Sequence, residues 1–514
     1  FSMSVLVLAM QSSAVQTKVA QYGSDYLSKK LGFEISIEKI NIEWFDQITL
    51  SGLYVKNKDQ STFIDLKSIW IDYDIKQLIN DESILLDNLK LQDGRVMLIR
   101  QKGDDYFNID YLVEAIRNLS APKNDSSVSA PKNLLISEAS LSNITLGIAN
   151  LDTDSIKEGF NYNQFVLHDL NADLNNFASK ADTIQIQINQ LSAIDSVSNL
   201  TIHHLNSNFE ISQSRLSLTD LNLELNKSTI ADSIVFNYNS MKDLSYIIDS
   251  VNINANFKNS IIYSEDLALF APYVKKYEDK INLSGKFNGK VKRFKAKDLN
   301  MKFGNSSFIQ GNVRIDGLPN FSESFIDLDL TNSSLTPTDL KQYVNDSITF
   351  QRIQNFGITN FRGSFIGFPT DFVADGIFTS PLGRVESDLN LKIAQDSKKS
   401  TYKGSLSTYN FDLGKFLDAD SIFQKVQMSG NIQGSGFTLA TAKLNLNANI
   451  NLIGINGYEY QNITTNAELA SEFFNGKLKI NDPLLKFQMD GSIDLRDNKN
   501  LINVTADHLF LVYH

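Results

Sequence analysis

From Gly32 onward, apolar and polar residues alternate with a period of two. Ile184/Ile186/Ile188, Leu221/Leu223/Leu225, Val251/Ile253/Ala255/Phe257, Leu389/Leu391/Ile393 and Leu444/Leu446/Ala448/Ile450/Leu452 are each interleaved with single polar residues, and shorter runs such as Ile35/Ile37, Ile40/Ile42 and Leu89/Leu91 do the same. Each run predicts a strand with one oily face and one wet face. Strands of a parallel α/β sheet would be apolar on both faces, so the pattern predicts an antiparallel-rich architecture. Before Gly32 the period differs. Val15, Val19, Tyr22, Tyr26 and Leu27 recur at three or four, which predicts a helix over 14–31 that stops at the glycine.

A longer period lies over this one. Asp266-Leu267-Ala268-Leu269-Phe270, Asp339-Leu340-Lys341-Gln342-Tyr343 and Asp412-Leu413-Gly414-Lys415-Phe416 are spaced 73 residues apart, from 266 to 339 to 412. Each is followed by an apolar-x-Gly-x-apolar-x-Gly segment: Leu283 to Gly289, Phe361 to Gly367, and Met428 to Gly434. Two patterns in the same order through three copies indicate a repeated unit. We read it as a single helical turn, capped by its Asp, followed by several long antiparallel strands. Glycines in the opening strand let the sheet bend or the backbones approach closely. The in-phase positions expected to line an apolar interior are Ile186, Leu223, Ile253, Leu283, Phe287, Phe361, Phe365, Leu391, Met428, Ile432, Leu446 and Ile450, with Asn288, Asn431 and Asn445 facing the other way.

Composition excludes more than it identifies. A net charge of −11 disfavours nucleic acid, which calls for concentrated Lys and Arg. The one basic run, Lys286 to Lys297, reads either as a strand blunted by lysine or as a contact for a lipid headgroup or phosphate. With no cysteine there are no disulfides, thiolate metal sites or cysteine nucleophiles. Gly285-Lys286-Phe287-Asn288-Gly289-Lys290 departs from a phosphate-cradling loop in glycine spacing and lacks the Ser/Thr after its Lys. His203 and His204 are adjacent on an expected strand and so point to opposite faces. The sequence thus offers no catalytic, cofactor-binding or metal-ligating set, and no enzyme is expected.

Phe1 to Met10 are almost wholly apolar but too few to cross a bilayer as a helix. The absence of an initiator Met suggests the end of an N-terminal anchor, and the apolar run Leu509 to Tyr513 suggests a chain that continues. Asn118 to Lys132, bracketed by Ala121-Pro122-Lys123 and Ala130-Pro131-Lys132, predicts a flexible linker, preceded by a short helix from Asp110 to Leu119. The expected organisation is an anchor at 1–13, a helix at 14–32, a first β region at 33–117, a linker at 118–133 and repeating β modules over 134–514.

Gln16-Thr17-Lys18-Val19-Ala20, Tyr26-Leu27-Ser28-Lys29-Lys30-Leu31-Gly32, the strand from Ile35 to Ile42, Trp44-Phe45 and Ile48 to Val55 resemble the start of the AsmA/TamB-like proteins of Gram-negative envelopes, in particular the TamB-type members of Bacteroidota. The resemblance implies a long, curved, antiparallel-rich β-sheet forming a taco-like groove, with an N-terminal helix and short interspersed helices. It also implies an inner-membrane anchor, a periplasmic body, an outer-membrane β-barrel partner, and phospholipid passage or outer-membrane biogenesis, with no cofactor.

Independently of that likeness, a one-sided sheet this long must either pack against a second sheet or curl around something oily, and periodicity does not separate the two. Roughly 30 strands at about 4.8 Å would extend on the order of 140 Å, which suits a conduit for phospholipid acyl chains. The competing readings are an assembly scaffold that adds strands of an outer-membrane protein to an exposed edge, and a solenoid adhesin or polysaccharide enzyme. The last should show clustered carboxylates on one repeat face, and none are found.

Overall fold

A computed structural model describes residues 12–43, 46–57, 59–74, 83–113, 133–153, 159–180, 182–344, 347–437, 440–471, 473–494 and 503–513. Residues 1–11 of the expected anchor at 1–13, Trp44-Phe45 and, except for Asn133, the expected linker lie outside them. The chain is mainly β, 65% strand and 15% helix, in curved, open, antiparallel-rich sheet with short helices, as the period-two pattern predicts. It divides into two units, Phe1–Lys280 and Ile281–His514.

The first unit opens with helix α1 (Ser13–Leu31), closed by Gly32 in the left-handed conformation. Eleven strands follow: β1 (Glu34–Glu43), β2 (Gln47–Lys56), β3 (Thr62–Asp72), β4 (Ile84–Arg100), β5 (Leu134–Asn150), β6 (Gln164–Lys180), β7 (Thr183–Asp195), β8 (Leu200–Ile211), β9 (Arg215–Leu225), β10 (Ser228–Asn237) and β11 (Asn252–Tyr263). Successive strands pair antiparallel except β4 and β5, which run parallel from Ile84 opposite Leu134 to Arg100 opposite Asn150. A parallel pair needs a crossover. Here the connection carries a helical turn at 108–113, anchored where Asn108 donates to Met97 O at 2.8 Å and accepts from Ile99 N at 3.0 Å.

Helix α1 meets the sheet with its polar side. Gln16 acts as a substitute strand, its Nε2 donating to Ile42 O at 2.9 Å and its Oε1 accepting from Ile42 N at 2.7 Å. Thr17 Oγ1 and Ser28 Oγ accept from Ile40 N at 3.2 Å and Ile35 N at 2.8 Å. These side chains satisfy an edge that would otherwise present unpaired backbone groups. The apolar stripe consequently faces away: Val19, Tyr22 and Tyr26 are 52%, 78% and 58% exposed.

The second unit continues with β12 (Lys280–Lys290), β13 (Arg293–Phe303), β14 (Ser307–Asp316), β15 (Phe325–Leu335), β16 (Thr359–Phe368), β17 (Asp371–Ser380), β18 (Gly383–Lys392), β19 (Thr401–Asp412), β20 (Phe423–Ser435), β21 (Lys443–Ile455), β22 (Tyr458–Ala470), β23 (Phe473–Asn481), β24 (Leu485–Asp494) and β25 (Asn503–Tyr513). Each neighbouring pair from β12 to β25 is antiparallel. Asp or Asn in left-handed backbone interrupts many strands of both units, as at Asp93, Asn143, Asp220, Asp298 and Asn410. These residue types tolerate that conformation, and the bulges increase local twist and bend the strands.

Short helices stand where the 73-residue repeat places them: α2 (Ser264–Leu267), α3 (Pro337–Leu340) and, after an additional α4 (Ser347–Phe356), α5 (Leu413–Leu417). The expectation that each Asp caps its own helix holds only for Asp412, which accepts from Lys415 N at 3.0 Å. Asp266 and Asp339 instead reach back to an earlier hairpin turn. Asp266 Oδ2 accepts from Ser228 Oγ at 2.6 Å and Lys227 N at 3.0 Å. Asp339 accepts from Asn305 N, Ser306 N and Ser307 N, each at 3.0 Å, and from Ser307 Oγ at 2.8 Å. Three converging amides and a hydroxyl outcompete one helix terminus for the same carboxylate.

Burial pushes the Asp339 carboxyl upward, but the hydrogen bonds from Asn305, Ser306 and Ser307 outweigh it and hold the group below the ordinary carboxylate range. Its stabilisation is therefore complete above the unfolded-state value and disappears as pH falls through the lower folded-state value. Asp339→Asn should destabilise the fold by about 2 kcal/mol at neutral pH and flatten the loss of stability below about pH 4. Urea denaturation of both proteins at pH 7 and pH 3 measures this. An unchanged midpoint at pH 7 would refute the assignment.

Candidate functional site: an apolar cross-strand face

Because residues directly opposite in a ladder project from the same face, pair registers can be followed strand by strand. In the second unit Phe287 stands opposite Ala296, and the line continues through Val313, Leu328, Phe365, Ala374, Leu389, Gly404, Ile432, Leu446, Ala467 and Gly476 to Gly491. It crosses every strand from β12 to β24 without meeting a polar side chain. A parallel line carries Leu283, Met301, Ile309, Ser333, Phe361, Phe378, Val385, Thr408, Met428, Ile450, Ile463, Ile480 and Phe487.

Two further lines complete the face. One, between these two, runs from Leu299 through Gly311, Leu330, Gly363, Gly376, Ser387, Leu406, Gly430, Ala448, Thr465 and Leu478 to Met489. The outer one passes through Gly289, Phe294, Ile315, Ile326, Gly367, Phe372, Leu391, Tyr402, Gly434 and Leu444. The three glycine-bearing segments found in the sequence thus fall on the same lines, on β12, β16 and β20. All nine predicted positions of this unit share the face: Leu283, Phe287, Phe361, Phe365, Leu391, Met428, Ile432, Leu446 and Ile450.

None of the residues on these lines is ionisable near neutral pH, and three of the hydroxyls are occupied by backbone groups. Thr408 Oγ1 accepts from Met428 N at 3.2 Å, Thr465 Oγ1 donates to Lys477 O at 3.1 Å, and Ser333 Oγ accepts from Gln310 N at 3.2 Å. Small side chains form the buried floor, with Ala296 at 1% and Ala448 at 4% exposure, while Phe287, Phe365, Ile432 and Ile450 are only half-buried. Large residues in the core between two packed sheets would be fully buried. Here Leu299, Leu330, Ile463 and Met489 are buried, but the four just named stay partly open. Asn288, Asn431 and Asn445 are exposed on the opposite face.

The first unit carries the same device. Ile40, Leu50, Ile69, Leu91, Leu141, Ala172, Leu191, Leu205 and Leu223 stand opposite one another from β1 to β9. Ile186 aligns with Phe209, Leu218, Ile234 and Ala255, and Ile253 with Phe236, Leu216 and Ile211. Its floor includes Leu66, Ile144, Leu170 and Ala193, which are 2–4% exposed. In the basic run, Lys286 stands opposite Lys297 and Lys295 opposite Arg314, phased away from the apolar lines. Asp327 and Asp329 share a concavity with Lys295, Lys297 and Arg314, so the charges there are mixed. Among the described residues no three or more His, Cys, Asp or Glu side chains gather where they could hold a metal ion.

Cross-strand alignment was not visible in the sequence, so half of each line was missed. The glycines were visible, and their role is steric. A Cβ on Gly363, whose φ is 139°, would lie 2.1 Å from Asp375 O and 2.5 Å from Gly376 Cα. Gly363→Val should therefore cost at least about 2 kcal/mol, whereas Gly103→Ala, in open space at a turn, should cost less. Thermal unfolding of the two variants decides it, and equal losses would contradict the close-approach account. No family model, no curated protein and no solved structure matches this chain.

Proposed function

We propose that the apolar face is a trough for the acyl chains of phospholipids, in a protein that passes them between the inner and outer membranes of a bacterial envelope. The observation that carries this reading is the uninterrupted series of apolar positions across β12 to β24, without an ionisable side chain and with Phe287, Phe361, Phe365, Ile432 and Ile450 among its half-open members. Exposing two acyl chains of about 30 methylenes to water costs on the order of 20 kcal/mol. A uniform apolar surface removes most of that cost at each position, and its uniformity leaves no deep trap. At about 4.8 Å per strand the face of the second unit extends on the order of 60 Å, and its four lines span about 20 Å along the strands. Headgroups then stay at the wet rim. No step in this process makes or breaks a covalent bond, which accords with a non-enzymatic protein that needs no cofactor.

The membrane assignment rests on the apolar sequence Phe1 to Met10 and on the resemblance of the N-terminal segment. Among the described residues no helix is long and apolar enough to cross a bilayer. An outer-membrane β-barrel partner belongs to the same proposal. The scaffold alternative requires a free strand edge, and at β1 that edge is already satisfied by Gln16, Thr17 and Ser28 of α1. This favours the trough over strand addition at that edge.

An unpaired charge costs several kcal/mol in a dry core, but at a half-open face it reaches water. Ile450→Asp and Phe287→Lys should therefore keep the fold, lowering stability by no more than about 1–2 kcal/mol, while reducing bound acyl-labelled phospholipid at least tenfold. Thermal unfolding and lipid binding are measured on the same preparations. Unfolded variants would indicate a closed core, and folded variants that bind lipid as before would reject the trough.

A further inference from the structure

The connection between β5 and β6 and the segment following β11 meet within the first unit. Phe160 N donates to Leu269 O at 2.7 Å. The Phe160 ring packs at 5.3 Å from Phe165, 5.5 Å from Tyr162 and 6.1 Å from Phe270. Phe165 stands opposite Ile148 on β5, in phase with the pair Leu146 and Leu167, and so belongs to the apolar face. Phe160 thus joins a ring of that face to a ring on the connection beyond β11. The ends of β6 and β11 are five ladder positions apart, about 24 Å along the sheet, so the contact reaches past the ends of the intervening strands.

The contact is narrow. Among the described residues it includes one backbone hydrogen bond and these rings, two of which remain exposed: Tyr162 at 42% and Phe270 at 41%. Gly159 admits the close approach, since a Cβ there would lie 2.6 Å from Leu269 O. Ring contacts and a single backbone hydrogen bond are individually weak, so a closure made of them is of the kind that loop motion can open.

We infer that Phe160 and Phe270 form a latch over one rim of the first unit's apolar face, and that the latch must part to admit an acyl chain from the side. This rests on the trough reading above and names how that trough is loaded. In the closed state the rings shield the rim from water. In the open state the exposed ring of Phe165 offers the incoming chain its first contact.

The absence of cysteine makes the test clean. Phe160→Cys and Phe270→Cys are combined in the full chain and bridged with a cleavable bismaleimide. Loading is followed as the emission of acyl-labelled nitrobenzoxadiazole phosphatidylethanolamine supplied from phosphatidylcholine vesicles. The bridged protein should load at least tenfold more slowly than its reduced counterpart and recover when the bridge is cleaved. Phe160→Ala should load severalfold faster at an unchanged final amount bound, with circular dichroism confirming the fold. Equal rates for bridged and cleaved protein, with normal final binding, would overturn the latch while leaving the trough intact. If the unmodified chain binds no labelled lipid at all, the trough reading fails and the latch with it.

Discussion

Backbone hydrogen bonds between neighbouring strands fix which residue stands opposite which. A slip of one residue on any strand would turn its apolar set to water and place its Asn, Lys or Asp side chains among Phe and Leu. The apolar lines exist only because this register is kept in phase, pair after pair, in each unit. Even the irregularities respect it. Where Asp298 or Asn410 inserts an extra residue, the strand resumes with its apolar residues on the same face, as Ala296 and Leu299 do on either side of the first and Thr408 and Phe411 on either side of the second.

The same constraint explains why so few elements other than strands are needed. The side-chain ties at strand ends, Asp266 to Ser228 and Asp339 to Ser307, fasten the end of one strand to the turn that opens its paired neighbour and resist relative sliding. At the free side of β1 the polar residues of α1 do similar work by hydrogen bonding to alternate backbone groups. Among the described residues, no buried side-chain polar atom lacks a partner.

Much of this was legible beforehand, because period-two alternation is a direct imprint of the pleat. Leu444 to Ile450 announced both the strand and its inward face, and the three glycine-bearing segments marked equivalent strands of a repeat. What stayed hidden is of two kinds. Partners such as Ala374 or Leu328 depend on pairing between distant segments, which local pattern does not encode. The roles of polar residues were hidden for a different reason: an Asp before a Leu reads equally as a helix cap or as an acceptor for a turn some 30 residues earlier, and only the fold brings Ser307 to Asp339. Helix α1 turns its polar side to the sheet, because unsatisfied amides at an edge compete for it first.

The line containing Gly311, Gly363, Gly376 and Gly430 also has a mechanical consequence. With no side chains at these points, little bulk resists the sheet creasing there, while the hydrogen-bonded ladder remains stiff against stretching across the strands. Such a surface is elastically anisotropic, like card scored along one direction. Its two flanks bear Phe361 on one side and Phe365 on the other, so bending about the crease would change the width of the proposed trough.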